Sequence, residues 1–125
     1  MRIGRETVTL GAVGEGLAAH YLQARGYEIL TRNYTCALGE IDLVARDGDC
    51  LVFVEVKTRR TELKGLPAEA VTPHKQRQVL RVARAYLQGL RSAGEANCRF
   101  DVVSVLWRSG EEPVVELIRD AFGER

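Results

Sequence analysis

The sequence predicts one α/β domain, and three observations carry that expectation. The chain has 125 residues, the size of a single compact domain. Residues 10–25 and 74–90 repeat their apolar positions at helical spacing, whereas 39–46 and 50–58 alternate at strand spacing around the hairpin signal "DGD". No repeat, linker or low-complexity stretch divides the chain. The order α-β-β-β-α-β-β is therefore read as one layered unit over 1–125.

Leu10, Val13, Leu17 and Tyr21 form the stripe of the first helix, broadened by Ala18 and Leu22. Gly26 marks its end, as a glycine just past a helix commonly does. On this helix Glu15 falls beside Ala18, Ala19 and Leu22 rather than among other charges. A solvated acid favoured by the helix dipole is the plain alternative. The glycines of "GAVGEG" lack GxGxxG spacing and follow no strand, which excludes a phosphate loop. "YEILTRNY" (27–34) reads as the first strand, 39–46 and 50–58 as the second and third, and "KGLP" (64–67) as a loop. Apolar positions 79, 82, 83, 86, 87 and 90 give the second helix its stripe, with His74, Arg77, Arg81, Arg84 and Arg91 on the opposite face. "RFDVVSVLW" (99–107) reads as a strand and "PVVELI" (113–118) as a short last one.

Composition narrows the class. A chain of this length buries enough surface to fold without disulfides. Cys36, Cys50 and Cys98 are odd in number and form no CxxC pair, so neither a zinc ribbon nor a secreted disulfide framework is expected. With no leader-like or membrane-spanning apolar run, the expectation is a soluble, cytoplasmic protein in a reducing compartment. The net charge of +1 is unevenly spread. Residues 72–94 hold Lys75, Arg77, Arg81, Arg84 and Arg91 with no acid, while 95–125 hold four Arg against seven acidic residues.

The stretch "GEIDLVARDGDCLVFVEVKTR" (39–59) raises the chemical question. Glu55 and Lys57 share one strand face about 7 Å apart, and Glu40 and Asp42 share one on the preceding strand. A Gly48-Asp49 turn sets Asp42 across from Glu55 and Glu40 across from Lys57; an Asp47-Gly48 turn sets Glu40 across from Glu55. Either register gathers carboxylates with one ammonium on a mostly apolar sheet. That arrangement is unfavourable unless a cation compensates it. Lys57 answers one carboxylate; a hard divalent ion, Mg²⁺ or Mn²⁺, suits the remainder. The competing reading is an exposed strand face dressed with salt bridges.

This stretch resembles the D…E-x-K core of the restriction-endonuclease-like superfamily, which includes Holliday junction resolvases. The ordered set "GAVGEGLAAHYLQARGYEILTRNY", the hairpin, "AEAVTPHKQRQVLRVARAYL", "RFDVVSV" and "RDAF" resembles the YraN family over nearly the whole chain. The resemblance implies an αβββαβ core with a mixed central sheet flanked by helices. It implies Asp42 and Glu55 as metal ligands, the Val56 carbonyl as a further ligand and Lys57 as the catalytic lysine. Glu15 matches the acid that resolvase-like members place on the first helix. Many superfamily members have Pro before the metal-binding Asp, where this chain has Ile41.

The remaining polar residues divide between chemistry and structure. His20 and His74 lack ligand spacing, so no metal role is assigned to them. Asp101, among apolar neighbours, is read as a structural acid paired with an Arg rather than as a partner of the acidic hairpin. Arg59 shares the face of Glu55 and Lys57, as a phosphate contact or a solvated strand end. Lys75, Arg77, Arg81 and Arg84 form the candidate nucleic-acid contacts, solvated surface being the alternative. The expected function is a Mg²⁺- or Mn²⁺-dependent endonuclease acting on DNA, with branched or flapped forms as candidate substrates. A nucleic-acid-binding module that keeps the fold but cuts nothing is the alternative, and a small-molecule hydrolase a third. Nucleic acid is the expected partner, a homodimer is left open, and no membrane is expected.

Overall fold

The computed structural model describes residues 9–61, 71–90 and 97–123. The loop expected at 64–67 and Arg91 lie outside the described residues. The element order is α1 (Leu10–Ala24), β1 (Glu28–Cys36), β2 (Gly39–Asp47), β3 (Cys50–Arg59), α2 (Pro73–Gln88), β4 (Asn97–Leu106) and β5 (Val114–Phe122). The expected αβββαβ order, followed by one more strand, is thus present. The five strands lie in the sheet in chain order. Only the β3–β4 pairing is parallel, as the connection through α2 requires.

The sheet is covered on both sides. Ile41, Val44, Phe53, Val79, Val82, Phe100 and Phe122 fill the layer under α2. Ala18, Leu22, Tyr27, Leu43, Ala45, Val52, Val54 and Val103 fill the layer under α1. Each fully buried Val, Leu or Phe contributes on the order of 1.5–3 kcal/mol. In the α2 layer Phe100 stacks between Phe53 and Phe122, with centroids 5.5 and 5.3 Å apart.

Side-chain size decides which face of α1 turns inward. Of the expected stripe, Ala18 and Leu22 are buried as expected, Leu10, Val13, Leu17 and Tyr21 lie at the margin, and Gly14 and Ala19 complete the buried set. A Cβ on Gly14 would stand 1.8 Å from Thr58 Oγ1. The glycine therefore permits direct contact between α1 and β3, which is the use the "GAVGEG" segment has in this fold. Thr9 caps α1 by accepting the Ala12 N–H, and Thr72 caps α2 by accepting the Lys75 N–H.

Two strands run differently from expectation. β1 extends to Cys36, and β5 is a nine-residue strand rather than a short one ending at 118. The β4–β5 register shifts between Phe100 and Val102, and Asp120 adopts φ +52°. That bulge breaks the alternation and disguises the second half of β5 as a turn. Among the described residues, no helix is long and apolar enough to cross a membrane.

Candidate metal and nucleic-acid site

The hairpin settles the register that the sequence left open. Asp47 pairs with Cys50 across a Gly48-Asp49 turn, and the ladder continues to Leu43 opposite Val54. The next step would set Asp42 opposite Glu55, and there the ladder gives way to side chains. Asp42 Oδ2 accepts the Val56 N–H at 2.8 Å, and Glu55 Oε2 accepts the Asp42 N–H at 3.3 Å.

The strands separate at this point for a visible reason. Ile41 packs in the α2 layer and Leu43 in the α1 layer, although residues two apart on a regular strand share a face. Opposite this break, between Arg32↔Leu43 and Tyr34↔Ile41, Asn33 takes the left-handed conformation at φ +55°. Asparagine tolerates that region better than most residues. The irregularity turns the Asp42 carboxylate toward β3. Because N–H and C=O of one extended residue point to the same side, the Val56 carbonyl is directed into the same gap.

The gap is acidic and largely shielded from solvent on the Glu55 side. Burial first, and then the Asp42 charge, push Glu55 up to about 7, against the opposing pull of Lys75. Burial also raises Asp42, opposed by the Val56 N–H, Lys75 and Lys57. Glu15 reaches the same region from α1. Its carboxyl is raised by burial and by Asp42, and is steadied by a hydrogen bond with Asn33 and by the Arg32 charge.

The structure therefore brings Asp42, Glu55, Val56 and Glu15 to one region, with Lys57 on β3 acting electrostatically on Asp42. Lys75, grouped in the sequence with the basic helix face, stands apart from it: its Nζ lies 3.6 Å from Glu55 Oε1. That contact depends on how α2 crosses the sheet, so no periodicity could have shown it. Arg77, Arg81 and Arg84 are exposed on α2. Arg81 and Arg84 line a shallow groove of about 200 Å³ with Leu38, Ala85 and Gln88. Arg59 is exposed at the end of β3.

Among the described residues, no three His, Cys, Asp or Glu side chains converge as a metal cage. The donor set is one buried carboxylate, one half-buried carboxylate and a carbonyl. It suits Mg²⁺ or Mn²⁺, hard ions that take one or two carboxylates and keep several waters, and it does not suit Zn²⁺.

Asp101 belongs to a different cluster. It is fully buried and accepts hydrogen bonds from Tyr27 Oη (3.1 Å), Arg99 Nε (3.0 Å) and the Asp120 N–H (2.9 Å). Arg99 also donates to Tyr27 Oη at 2.6 Å and to Asp47 at 2.8 Å, and Arg119 reaches Asp47 at 3.1 Å. Burial works against the Arg99 charge, but the hydrogen bonds to Asp47 and Asp101 outweigh it and raise the guanidinium above its ordinary value. This network ties β2, β4 and β5 together, and the structural reading of Asp101 holds.

Known proteins share this sequence along most of its length. A UPF0102 protein of Syntrophus aciditrophicus is 49% identical over 94% of this chain and 91% of its own. One from Geobacter sulfurreducens is 50% identical over 90% and 88%, and one from Rhodococcus jostii 50% over 92% and 97%. Among solved structures, that of the EndoMS-dsDNA2 complex matches 77% of this chain but 36% of its own, at 21% identity and a TM-score of 0.40. The model of "Uncharacterised protein family UPF0102" matches residues 14–105, which contain Glu15, Asp42, Glu55, Lys57 and Lys75. The chain belongs to that family, the YraN family which its motifs resemble.

Proposed function

We propose that this protein is a divalent-metal-dependent endonuclease that hydrolyses DNA phosphodiester bonds. One observation carries the reading: two carboxylates, the half-buried Asp42 and the buried Glu55, are held against each other in a break of the sheet by backbone N–H groups. Left alone, such a pair is costly to fold, so its retention in a core calls for a cation. Asp42, Glu55 and the Val56 carbonyl would hold Mg²⁺ or Mn²⁺. When bound, that ion supplies charge stabilisation on a phosphoryl oxygen and a more acidic water.

The chain's own groups supply the rest. Lys57 lies two residues beyond Glu55 on β3, where an ammonium orients the attacking water or offsets charge developing on the phosphate. Glu15, anchored by Asn33, adds a third carboxylate near Asp42 that can position water. The exposed Arg77, Arg81 and Arg84 contact phosphates along the helix, and Arg59 does so at the strand end. Branched or flapped DNA is the proposed preference.

Incubation of the purified protein with Mg²⁺ or Mn²⁺ and linear, flapped and four-way DNA tests this, with Glu55→Ala as control. Cleavage lost in the variant supports the nuclease. Binding without cleavage of any substrate replaces it with a nucleic-acid-binding module of the same fold.

A further inference from the structure

The cation that touches the acidic pair comes from α2, not from the strand that bears Glu55. Thr72 is the N-cap of that helix, so Lys75 is its third residue. Unpaired N–H groups make a helix start partially positive, and a lysine there is disfavoured. No acidic residue in that turn relieves it. The compensation is Glu55, whose side chain is only 5% exposed, while that of Lys75 is 34% exposed. The carboxylate is fixed in the core and the ammonium sits at its solvent side.

We infer that Lys75 is the resident counter-ion of the acidic pair: in the metal-free protein it answers the charge that a divalent cation takes over, and cation binding releases its ammonium toward the substrate phosphate. The inference rests on the metal-site reading of Asp42 and Glu55. Three features point to it. Four carboxylates, those of Glu15, Glu40, Asp42 and Glu55, face the charges of Lys57, Lys75 and Arg32, so the region remains short of positive charge. Lys75 contacts Glu55 at 3.6 Å, looser than a charge-assisted hydrogen bond of about 2.7–2.9 Å. Its flexible four-carbon stem, one third exposed, lets the head group leave without opening the core. A divalent ion between Asp42 and Glu55 would repel it outward, where phosphate is the nearest anion of a bound nucleic acid.

Mn²⁺ titration calorimetry at pH 8 tests this on the parent, Lys75→Gln and Lys75→Arg. Loss of the competing ammonium should tighten Mn²⁺ binding about tenfold in Lys75→Gln, with Lys75→Arg close to the parent. Thermal melts in EDTA should show the companion effect. Lys75→Gln should lower the melting temperature when Glu55 is present and leave it unchanged in a Glu55→Gln background. Unchanged or weaker Mn²⁺ binding in Lys75→Gln overturns the inference. If the parent binds no Mn²⁺ through Asp42 and Glu55, the metal-site reading itself fails. In that case coupling in EDTA would mark Lys75 as a purely structural partner, which also overturns the inference.

Discussion

Asp42 and Val56 are joined side chain to backbone: Oδ2 of the one accepts the N–H of the other at 2.8 Å, where a regular ladder would use a carbonyl. The bond holds a carboxylate in the plane of the sheet and lowers its pKa, though burial raises it more. An acid kept there works against folding at neutral pH, and that cost is measurable.

The metal-free protein should lose stability between pH 5.5 and 8. Glu55 is pushed from 4.5 up to about 7 by burial and by Asp42. A carboxyl whose folded pKa lies above its unfolded value binds its proton more tightly in the native state. Its contribution is full below about pH 4.5 and fades as pH rises through 7. The shift corresponds to roughly 3 kcal/mol. Urea denaturation in EDTA should show the decline, and Glu55→Gln should flatten it. A parent profile that rises toward pH 8 in EDTA would mean that neither burial nor Asp42 raises Glu55.

Lys57 should matter for turnover and not for metal. Lys57→Ala should leave Mn²⁺ affinity intact or slightly stronger, because a like charge near the ion is removed. Cleavage should drop by about two orders of magnitude or more, roughly 3 kcal/mol of transition-state stabilisation. Lys57→Arg should not rescue it, since a planar guanidinium does not fit the place of a compact ammonium. Single-turnover assays decide this, and undiminished cleavage in Lys57→Ala would make the lysine a structural counter-ion.

The outer face of α2 should bind without reading sequence. Replacing Arg77, Arg81 and Arg84 by Gln should weaken DNA binding equally for unrelated sequences. It should flatten the slope of log affinity against log salt by nearly one unit per lost phosphate contact. Fluorescence anisotropy over a salt series measures both. Equal affinity and equal slope would return this face to ordinary solvated surface.

Asp101→Ala should damage the fold and spare the site. The change takes away one of the two carboxylates that Arg99 meets, Asp47 remaining, and leaves the Asp120 N–H and Tyr27 Oη without their acceptor. Losing buried hydrogen bonds to a charged group in this way costs about 1.5–3 kcal/mol. Urea denaturation should register that loss, while Mn²⁺ affinity of the folded fraction stays at the parent value. A loss below about 1 kcal/mol, the worth of an ordinary hydrogen bond, would show the network to be dispensable.

The parts of this fold legible in the sequence are those set by local periodicity. The "DGD" turn, the alternation around it and the apolar stripe of α2 are short-range signals, and the elements they predict are present. What escaped depends on size or on distance along the chain. The inward face of α1 centres on Gly14, which a count of apolar side chains passes over, while Ala18 and Leu22 lie where the broadened stripe put them. The opposition of Asp42 and Glu55 turned on a choice between two adequate turns. Ile41 and Leu43 lie in opposite layers because Asn33, on a neighbouring strand, bends the pairing, and no pattern within β2 carries that information. Lys75 meets Glu55, and Asp101 meets Tyr27, only once separate elements pack.

The strand order along the sheet has a kinetic consequence. Every strand neighbours its predecessor in the chain, and three of the four pairings join consecutive strands antiparallel. Short connections close quickly, a hairpin on the order of microseconds, whereas the β3–β4 pairing must wait for the crossover through α2. Folding is therefore expected to nucleate on β1–β3. Stopped-flow measurements should show Val52→Ala slowing folding and Phe122→Ala mainly hastening unfolding; the reverse pattern would place the nucleus on the other half. In that sequence of events the two carboxylates meet before Lys75 is delivered to them, so the growing sheet spends its earliest moments with its acidic pair facing water.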